Sequence, residues 1–304
     1  MSLDELGIIG YQKKTLLIDG DIVIYQPCCT YNGDSDHDRG LIIKAIHRKI
    51  EQLMRAADCD EYIMFVTGKL NFRNWITDDY KANRKEIERP INLVWAKRWA
   101  VNTLNNHHDP YMEADDLLGI HQTEDTVIWS LDKDLRQIPG QHLDDKTQTV
   151  VTINPNGKLR HDKWVTKEGK KKSKVYFDGL IGLYYQMLIG DPTDNILGCG
   201  IREEQVYKTG AKAGQTYMKR KGVGSMAALK MLVASKDIDT ALKTVCKEYL
   251  KIHGDSWQDK LEEQANLLFM TREKEGCMIK RWTVDGRDQW MNKDTGEIHD
   301  NWRR

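Results

Sequence analysis

The residues best placed to do chemistry lie in Met112-Glu113-Ala114-Asp115-Asp116-Leu117-Leu118. Three carboxylates occur within four residues and run straight into an apolar helical pattern. If Glu113 starts a helix, Glu113 and Asp116 share a face, because positions i and i+3 are neighbours on a helix. Carboxylates ~4 Å apart repel by roughly 1 kcal/mol per pair in water, and by about 4 kcal/mol at an effective dielectric of 20. A fold that tolerates this crowding points to a bound cation. Three further acid groups could join the cluster: Asp19-Gly20-Asp21, Asp132-Lys133-Asp134 and Gly190-Asp191-Pro192-Thr193-Asp194-Asn195.

Basic residues gather elsewhere. Residues 71–98 carry Phe72, Arg73, Trp75, Tyr80, Lys81, Arg84, Lys85, Arg89, Lys97 and Arg98. Cations interleaved with aromatics suit nucleic acid, and a solvated amphipathic helix with a few core aromatics explains the stretch equally well. Lys219-Arg220-Lys221-Gly222-Val223-Gly224-Ser225 leads into an apolar helical run. A Gly-Val-Gly turn opening a helix exposes backbone N–H groups, which form an anion site. Other candidates read more plainly. His107-His108-Asp109 has metal-ligand residue types but reads as a solvated loop, and Asp21 reads first as a turn residue. Trp95 and Trp99 have the spacing of a helical core.

The elements that must position these groups follow from hydrophobic patterning. Thr15–Ile18, Tyr62–Val66 and Val127–Leu131 are short apolar runs, two of them ending in aspartates. Helical patterns lie between them, as in Leu41–Met54 and Trp95–Leu104. Strands alternating with helices predict a parallel α/β sheet, whose function gathers at the carboxyl ends of its strands. Residues 144–174 read as loop-rich with a basic tip at Gly169–Lys172. Leu180–Ile189, Ile238–Leu250 and Asp259–Met270 read as helices. The expected domains are 1–178, 179–275 and a C-terminal tail, 276–304, of unassigned fold. Formal net charge is zero, but the segregation of acids from bases favours a partner with charge of its own. The six cysteines contain no CxxC, so neither a zinc site nor a disulfide framework is favoured, and a reducing compartment fits. No signal peptide and no membrane-spanning run is evident. A cytoplasmic monomer is expected.

Taken in order, Ile18-Asp19-Gly20-Asp21, Glu113-Ala114-Asp115-Asp116, Asp132-Lys133-Asp134, Gly190–Asn195 and the Gly-Val-Gly turn resemble the flap endonuclease/5′→3′ exonuclease superfamily. The similarity is greatest to its free-standing bacteriophage members and spans roughly residues 15 to 270. Tyr80-Lys81-Ala82-Asn83-Arg84 matches the basic arch segment of that family. The resemblance implies a Rossmann-like (PIN-like) nuclease core and a helix–three-turn–helix DNA-binding module. It implies two magnesium or manganese ions. Asp19, Glu113, Asp115 and Asp116 would surround one ion, and Asp132, Asp134, Asp191 and Asp194 a second, looser one. Lys81 and Arg84 would contact the scissile phosphate, and Tyr80 would stack on an unpaired base. Lys219, Arg220, Lys221, Gly222, Gly224 and Ser225 would bind DNA, with a potassium ion at the glycine hairpin. The expected substrate is DNA with 5′ ends, flaps or nicks, or an RNA–DNA hybrid.

Two departures from the family pattern stand out. An aspartate is expected after the second strand, where Gly68 stands, so one acidic ligand is missing, or Asp21 or a water substitutes for it. Residues 202–220 form an insertion, read either as a surface loop or as extra DNA contacts. Two other functions compete. A haloacid-dehalogenase-type phosphatase would use Asp19 and Asp21 with Asp191–Asp194, but needs a strand before Asp191 where the pattern is helical. A non-catalytic DNA-binding relative would explain Gly68.

Overall fold

The computed structural model describes residues 13–84 and 87–302. The readings made for the polar lead-in before Lys13 and for Lys85 lie outside these residues. The chain forms two compact units, residues 1–71, 88–153 and 271–273, and residues 72–87, 154–270 and 274–304. The division falls at Ile153, not at 178, and the arch segment and the C-terminal tail both belong to the second unit.

The first unit is built on a six-stranded sheet. Its strands are β1 (Thr15–Asp19), β2 (Glu61–Thr67), β3 (Asn106–Asp109), β4 (Thr126–Trp129), β5 (Gly140–Asp144) and β6 (Thr149–Ile153). The order is β3-β2-β1-β4-β5-β6. Strands β1 to β5 are mutually parallel, and β6 runs antiparallel to β5. The helices are α1 (Gly20–Thr30), α2 (Asp36–Ala57), α3 (Leu93–Thr103) and α4 (Ala114–His121).

Period-2 alternation sorts the side chains between two faces. Leu16, Ile18, Met64, Val66, Val127 and Trp129 share a core with Ile24, Ile42, Ile46, Leu53, Ala96 and Ala100 from α1, α2 and α3. On the other face α4 packs against β1, β2 and β3, bringing the His121 ring to 5.0 Å from Phe65. Helices on both faces of a parallel sheet confirm the α/β reading. The segment read as a solvated His-His-Asp loop is instead the edge strand β3. From β1 the chain passes through α1 and α2 to β2 on one side, while β4 lies on the other, so the chain order switches between β1 and β4. Ligand crevices form at the carboxyl ends of strands at such a switch point.

The second unit packs helices α5 (Gly179–Ile189), α6 (Ser225–Val233), α7 (Ile238–His253) and α8 (Trp257–Leu268) around Leu183, Met187, Leu232, Val245, Tyr249 and Ala265. Two antiparallel hairpins accompany them, β7 (Leu159–Val165) with β8 (Lys171–Phe177) and β9 (Gly200–Val206) with β10 (Thr216–Gly222). Both segments read as loops from their lysine and glycine content. Their strands are held by backbone ladders that need little apolar patterning. The unassigned tail contributes β12 (Met278–Lys280), β13 (Gln289–Asn292) and β14 (Ile298–Asp300) to a four-stranded sheet that begins just before it with β11 (Lys274–Glu275), and Trp290 is fully buried. Residues 72–84 contain two 3-10 turns, Phe72–Trp75 and Ala82–Arg84, and no amphipathic helix. Among the described residues no helix is long and apolar enough to cross a membrane.

Candidate active site

Asp19 ends β1 and caps α1, its Oδ1 accepting the Ile22 N–H at 3.4 Å. Its Oδ2 accepts the Ser130 hydroxyl at 2.7 Å. Ser130 follows β4 directly and also accepts the Asp132 N–H at 2.9 Å, tying the carboxyl ends of the two switch-point strands together. Asp132 caps the 3-10 turn Lys133–Gln137 by accepting the Asp134 N–H at 2.8 Å. Burial, with the charges of Asp21 and Asp132, pushes the Asp19 carboxyl up to about 7, although the Ser130 and Ile22 donors oppose the shift.

Glu113 stands at the N-cap of α4, so it precedes the helix and does not sit within its first turn. The N-terminus of α4 is fixed at the carboxyl end of β2, where the Ala114 N–H meets the Thr67 hydroxyl at 3.0 Å. Asp115 lies half-buried in the first turn, whereas Asp116 is fully buried and accepts the Thr271 N–H at 3.1 Å. Asp116 therefore anchors backbone in addition to adding charge. The first unit thus gathers Asp19, Glu113, Asp115, Asp116 and Asp132 about the carboxyl ends of β1, β2 and β4.

Gly68 occupies a position that only glycine fits. Its N–H donates to the Met112 carbonyl at 2.9 Å, and a β-carbon there would lie 2.1 Å from the Asp109 carbonyl oxygen and 2.6 Å from the Pro110 carbonyl carbon. An aspartate cannot be restored at this point without moving backbone. One carboxylate near the end of β2 is that of Asp21, whose Oδ1 lies 3.4 Å from the Thr67 nitrogen and 2.7 Å from Lys97 Nζ. Asp21 is therefore more than a turn residue.

The donor set suits a hard cation. It is made of carboxylate oxygens, and one of them is driven toward protonation by burial and its acidic neighbours when no cation is present. Among the described residues, no three His, Cys, Asp or Glu side chains stand close enough together to hold a metal as they are. Magnesium retains several of its waters, so carboxylates can hold it partly through them.

In the second unit, residues 79–84 are joined to the loop after α5. The Lys81 N–H donates to the Asp194 carbonyl at 3.0 Å, Arg84 Nε to the Thr193 carbonyl at 3.0 Å, and Asn83 Nδ2 to the Pro192 carbonyl at 3.0 Å. Lys81 Nζ lies 3.6 Å from the Asp194 carboxylate, which Arg84 also pairs with. Asp191 is buried, and its Oδ1 accepts the Thr193 N–H at 2.7 Å. Asp191 and Asp194 each have these partners within the second unit. The expectation for Tyr80 fails on burial. Its ring is 6% exposed, sits in the core beside Ile76 and Leu183, and is faced by Lys81 Nζ at 5.0 Å, so it offers no stacking platform.

Arg220 is likewise internal. Its guanidinium donates to the carbonyls of Leu197 at 2.6 Å, Val223 at 3.1 Å and Leu188 at 2.8 Å, which consumes the donors a phosphate would need. Lys219 and Lys221 are exposed, with Lys221 Nζ 2.7 Å from Glu203. Gly222 ends β10 so close to the chain that a β-carbon would meet the Cys199 carbonyl at 2.3 Å, whereas Gly224, at the N-cap of α6, has open space there. Ser225 bonds the Tyr185 hydroxyl at 2.6 Å.

Comparison with known proteins adds a family to this geometry. Residues 14–169 match the model of a 5′-3′ exonuclease, N-terminal resolvase-like domain. The thermostable DNA polymerase I of Thermus caldophilus is 23% identical over 280 residues, covering 84% of this chain and 29% of the polymerase. The 5′-3′ exonuclease of Buchnera aphidicola subsp. Schizaphis graminum is 26% identical over 205 residues, covering 62% of this chain and 66% of that protein. Among solved structures, a mutant of T5 5′-exonuclease is 14% identical with a TM-score of 0.45, over 85% of each chain. The chain therefore spans less than a third of the polymerase and about two thirds of the exonuclease.

Proposed function

Because the chain belongs to the 5′-3′ exonuclease family through its N-terminal resolvase-like domain, we propose that it is a divalent-metal-dependent 5′ nuclease. Its substrate would be DNA with a 5′ end, a flap or a nick. The observation that carries this reading is the set of carboxylates at the carboxyl ends of β1, β2 and β4, with a buried Asp19 pushed up to about 7 by burial, Asp21 and Asp132. Asp19, Asp132 and the acids at the start of α4 would hold the cation. When bound, magnesium or manganese supplies a water acidified at neutral pH and an electrophile for the leaving oxygen.

The chain's own residues supply the rest. Ser130 fixes the orientation of Asp19 and the position of Asp132 with one hydroxyl. Lys81 and Arg84, held on the Pro192–Asp194 carbonyls, carry positive charge that offsets charge developing on a phosphate. Asp194 balances both cations, so phosphate would exchange one anionic partner for another. The start of α6 at Gly224 and Ser225, open at Gly224, and the exposed Lys219 support phosphate binding there.

The competing functions lose their support. Asp191 follows helix α5, where the phosphatase reading requires a strand. The non-catalytic reading rested on Gly68, which is required by packing, with Asp21 at the same strand end. The test is to offer the protein a 5′-labelled flap, a nicked duplex and p-nitrophenyl phosphate, each with magnesium or EDTA. Magnesium-dependent release of short 5′ products from the DNA, with the ester untouched, is expected. Hydrolysis of the ester alone would overturn the proposal, and so would DNA binding without cleavage under every metal.

A further inference from the structure

The hairpin β7–β8 has no part in the site described above. Its register sets Arg160 opposite Tyr176, Asp162 opposite Lys174 and Trp164 opposite Lys172. Directly paired residues share a face of the ribbon, so these six form one face. At the base, the opposite face carries Leu159, Val175 and Phe177, which pack into the helical core and fix the hairpin's root. Further out, Lys163, Val165, Lys171 and Ser173 on that opposite face are exposed as well. The distal half thus stands in solvent on both faces.

Between Leu159 and Phe177 the hairpin carries seven Lys and Arg against two Asp and Glu. Lysines on a free ribbon can serve simply to block edge-to-edge pairing. That purpose does not explain an indole there: Trp164 is 43% exposed, on a ribbon whose outer end is exposed on both faces. The cations are also organised by an aromatic ring, which lysines placed for repulsion do not require. Arg160 sits 4.7 Å and Lys174 5.0 Å from the Tyr176 ring centre. Asp162, 3.1 Å from Arg160, is the one acid among those six residues.

We propose that the outer face of β7–β8 binds single-stranded nucleic acid. Trp164 stacks on a base, while Arg160, Lys172 and Lys174 meet phosphates. An indole needs an unpaired base face, which a duplex interior does not present, so the single-stranded part of a substrate is the occupant. This inference rests on the nuclease reading and adds to it a second grip, remote in sequence from the arch segment and the glycine turn.

The test is fluorescence anisotropy of the full chain with a labelled oligothymidine strand and with a blunt duplex, both in EDTA. Trp164→Ala should weaken strand binding about tenfold, the factor equivalent to about 1.4 kcal/mol and within the range for one stacked base. Trp164→Phe should recover most of that loss. Lys172→Gln with Lys174→Gln should flatten the salt dependence by a slope of roughly 0.7 for each phosphate no longer neutralised. Duplex binding and the thermal melt should be unchanged, because these side chains are exposed. If wild type cleaves DNA while these variants bind the strand as tightly as wild type, this inference fails and the nuclease reading stands. A wild type that neither binds nor cleaves DNA overturns both.

Discussion

Replacing Asp19 with asparagine should make the metal-free protein more stable at neutral pH while abolishing its activity. The carboxyl is pushed from an ordinary 3.8 up to about 7 by burial first, then by Asp21, and further by Asp132. A folded-state value above the unfolded one means that the folded protein holds the proton more tightly between about pH 4 and 7. Stability therefore falls as pH rises through that window. At about 1.36 kcal/mol per unit of pKa, ionised Asp19 costs at most about 4 kcal/mol above pH 7. Asparagine keeps the shape and an oxygen for the Ser130 hydroxyl, and it removes the charge. The assay is a pair of thermal melts in EDTA at intervals from pH 4 to pH 8. The variant should match or trail wild type at pH 4 and gain on it steadily toward pH 8. The gain should be several degrees, at about 2–4 °C per kcal/mol for a domain of this size. Magnesium at pH 8 should then raise the melting point of wild type and leave the variant nearly unmoved. Parallel curves for the two proteins across the whole range would refute the reasoning, since Asp19 would then titrate alike in the folded and unfolded chains.

The remaining predictions concern residues whose partners the structure identifies. Gly68→Ala should lower stability by about 1–3 kcal/mol or more, because its β-carbon would enter the Asp109–Pro110 backbone; an unchanged melting temperature would contradict the packing. Gly68→Asp should be worse still and should not lower the magnesium requirement, which a metal titration of cleavage would check. Lys81→Ala and Arg84→Ala should each slow turnover at least tenfold at saturating DNA, since their charge acts on the developing transition state; single-turnover rates read this directly. Arg220→Ala should destabilise by about 2–4 kcal/mol by stripping donors from the carbonyls of Leu188, Leu197 and Val223, a loss that a denaturant melt would register. Lys219→Ala should leave the melt unchanged and only weaken DNA binding, most at low salt.

Much of the site's framework was legible because its carriers are local. Strands β1 and β4 are short apolar runs that stop at an aspartate or just before one, and a parallel sheet brings their carboxyl ends together. Asp19, Asp132 and the acids of α4 could therefore be placed from spacing alone. What the sequence hid was tertiary. Nothing local distinguishes a glycine that replaces a lost ligand from one against which a carbonyl packs at Gly68. Tyr80 and Arg220 carry the residue types of a DNA contact, and only burial and carbonyl partners reveal them as structural. Asp194 reads as a metal ligand, and its pairing with Lys81 and Arg84, more than a hundred residues away, has no local signal. The two hairpins escaped because their strands are polar and lysine-rich, without the alternation that burial on one face imposes. The cue was nonetheless present in β7–β8, where Trp164 and Tyr176 interrupt the lysines.

The acids at the ends of β1, β2 and β4 are proposed to form a cation-dependent nuclease centre. Single-turnover cleavage of a 5′-labelled flap by wild type and Asp132→Asn, in magnesium, tests this most directly when paired with DNA binding in calcium. The variant's cleavage rate should fall at least a hundredfold, with flap affinity in calcium within about threefold of wild type. Cleavage by Asp132→Asn at the wild-type rate, or wild-type cleavage that persists in EDTA, would contradict it.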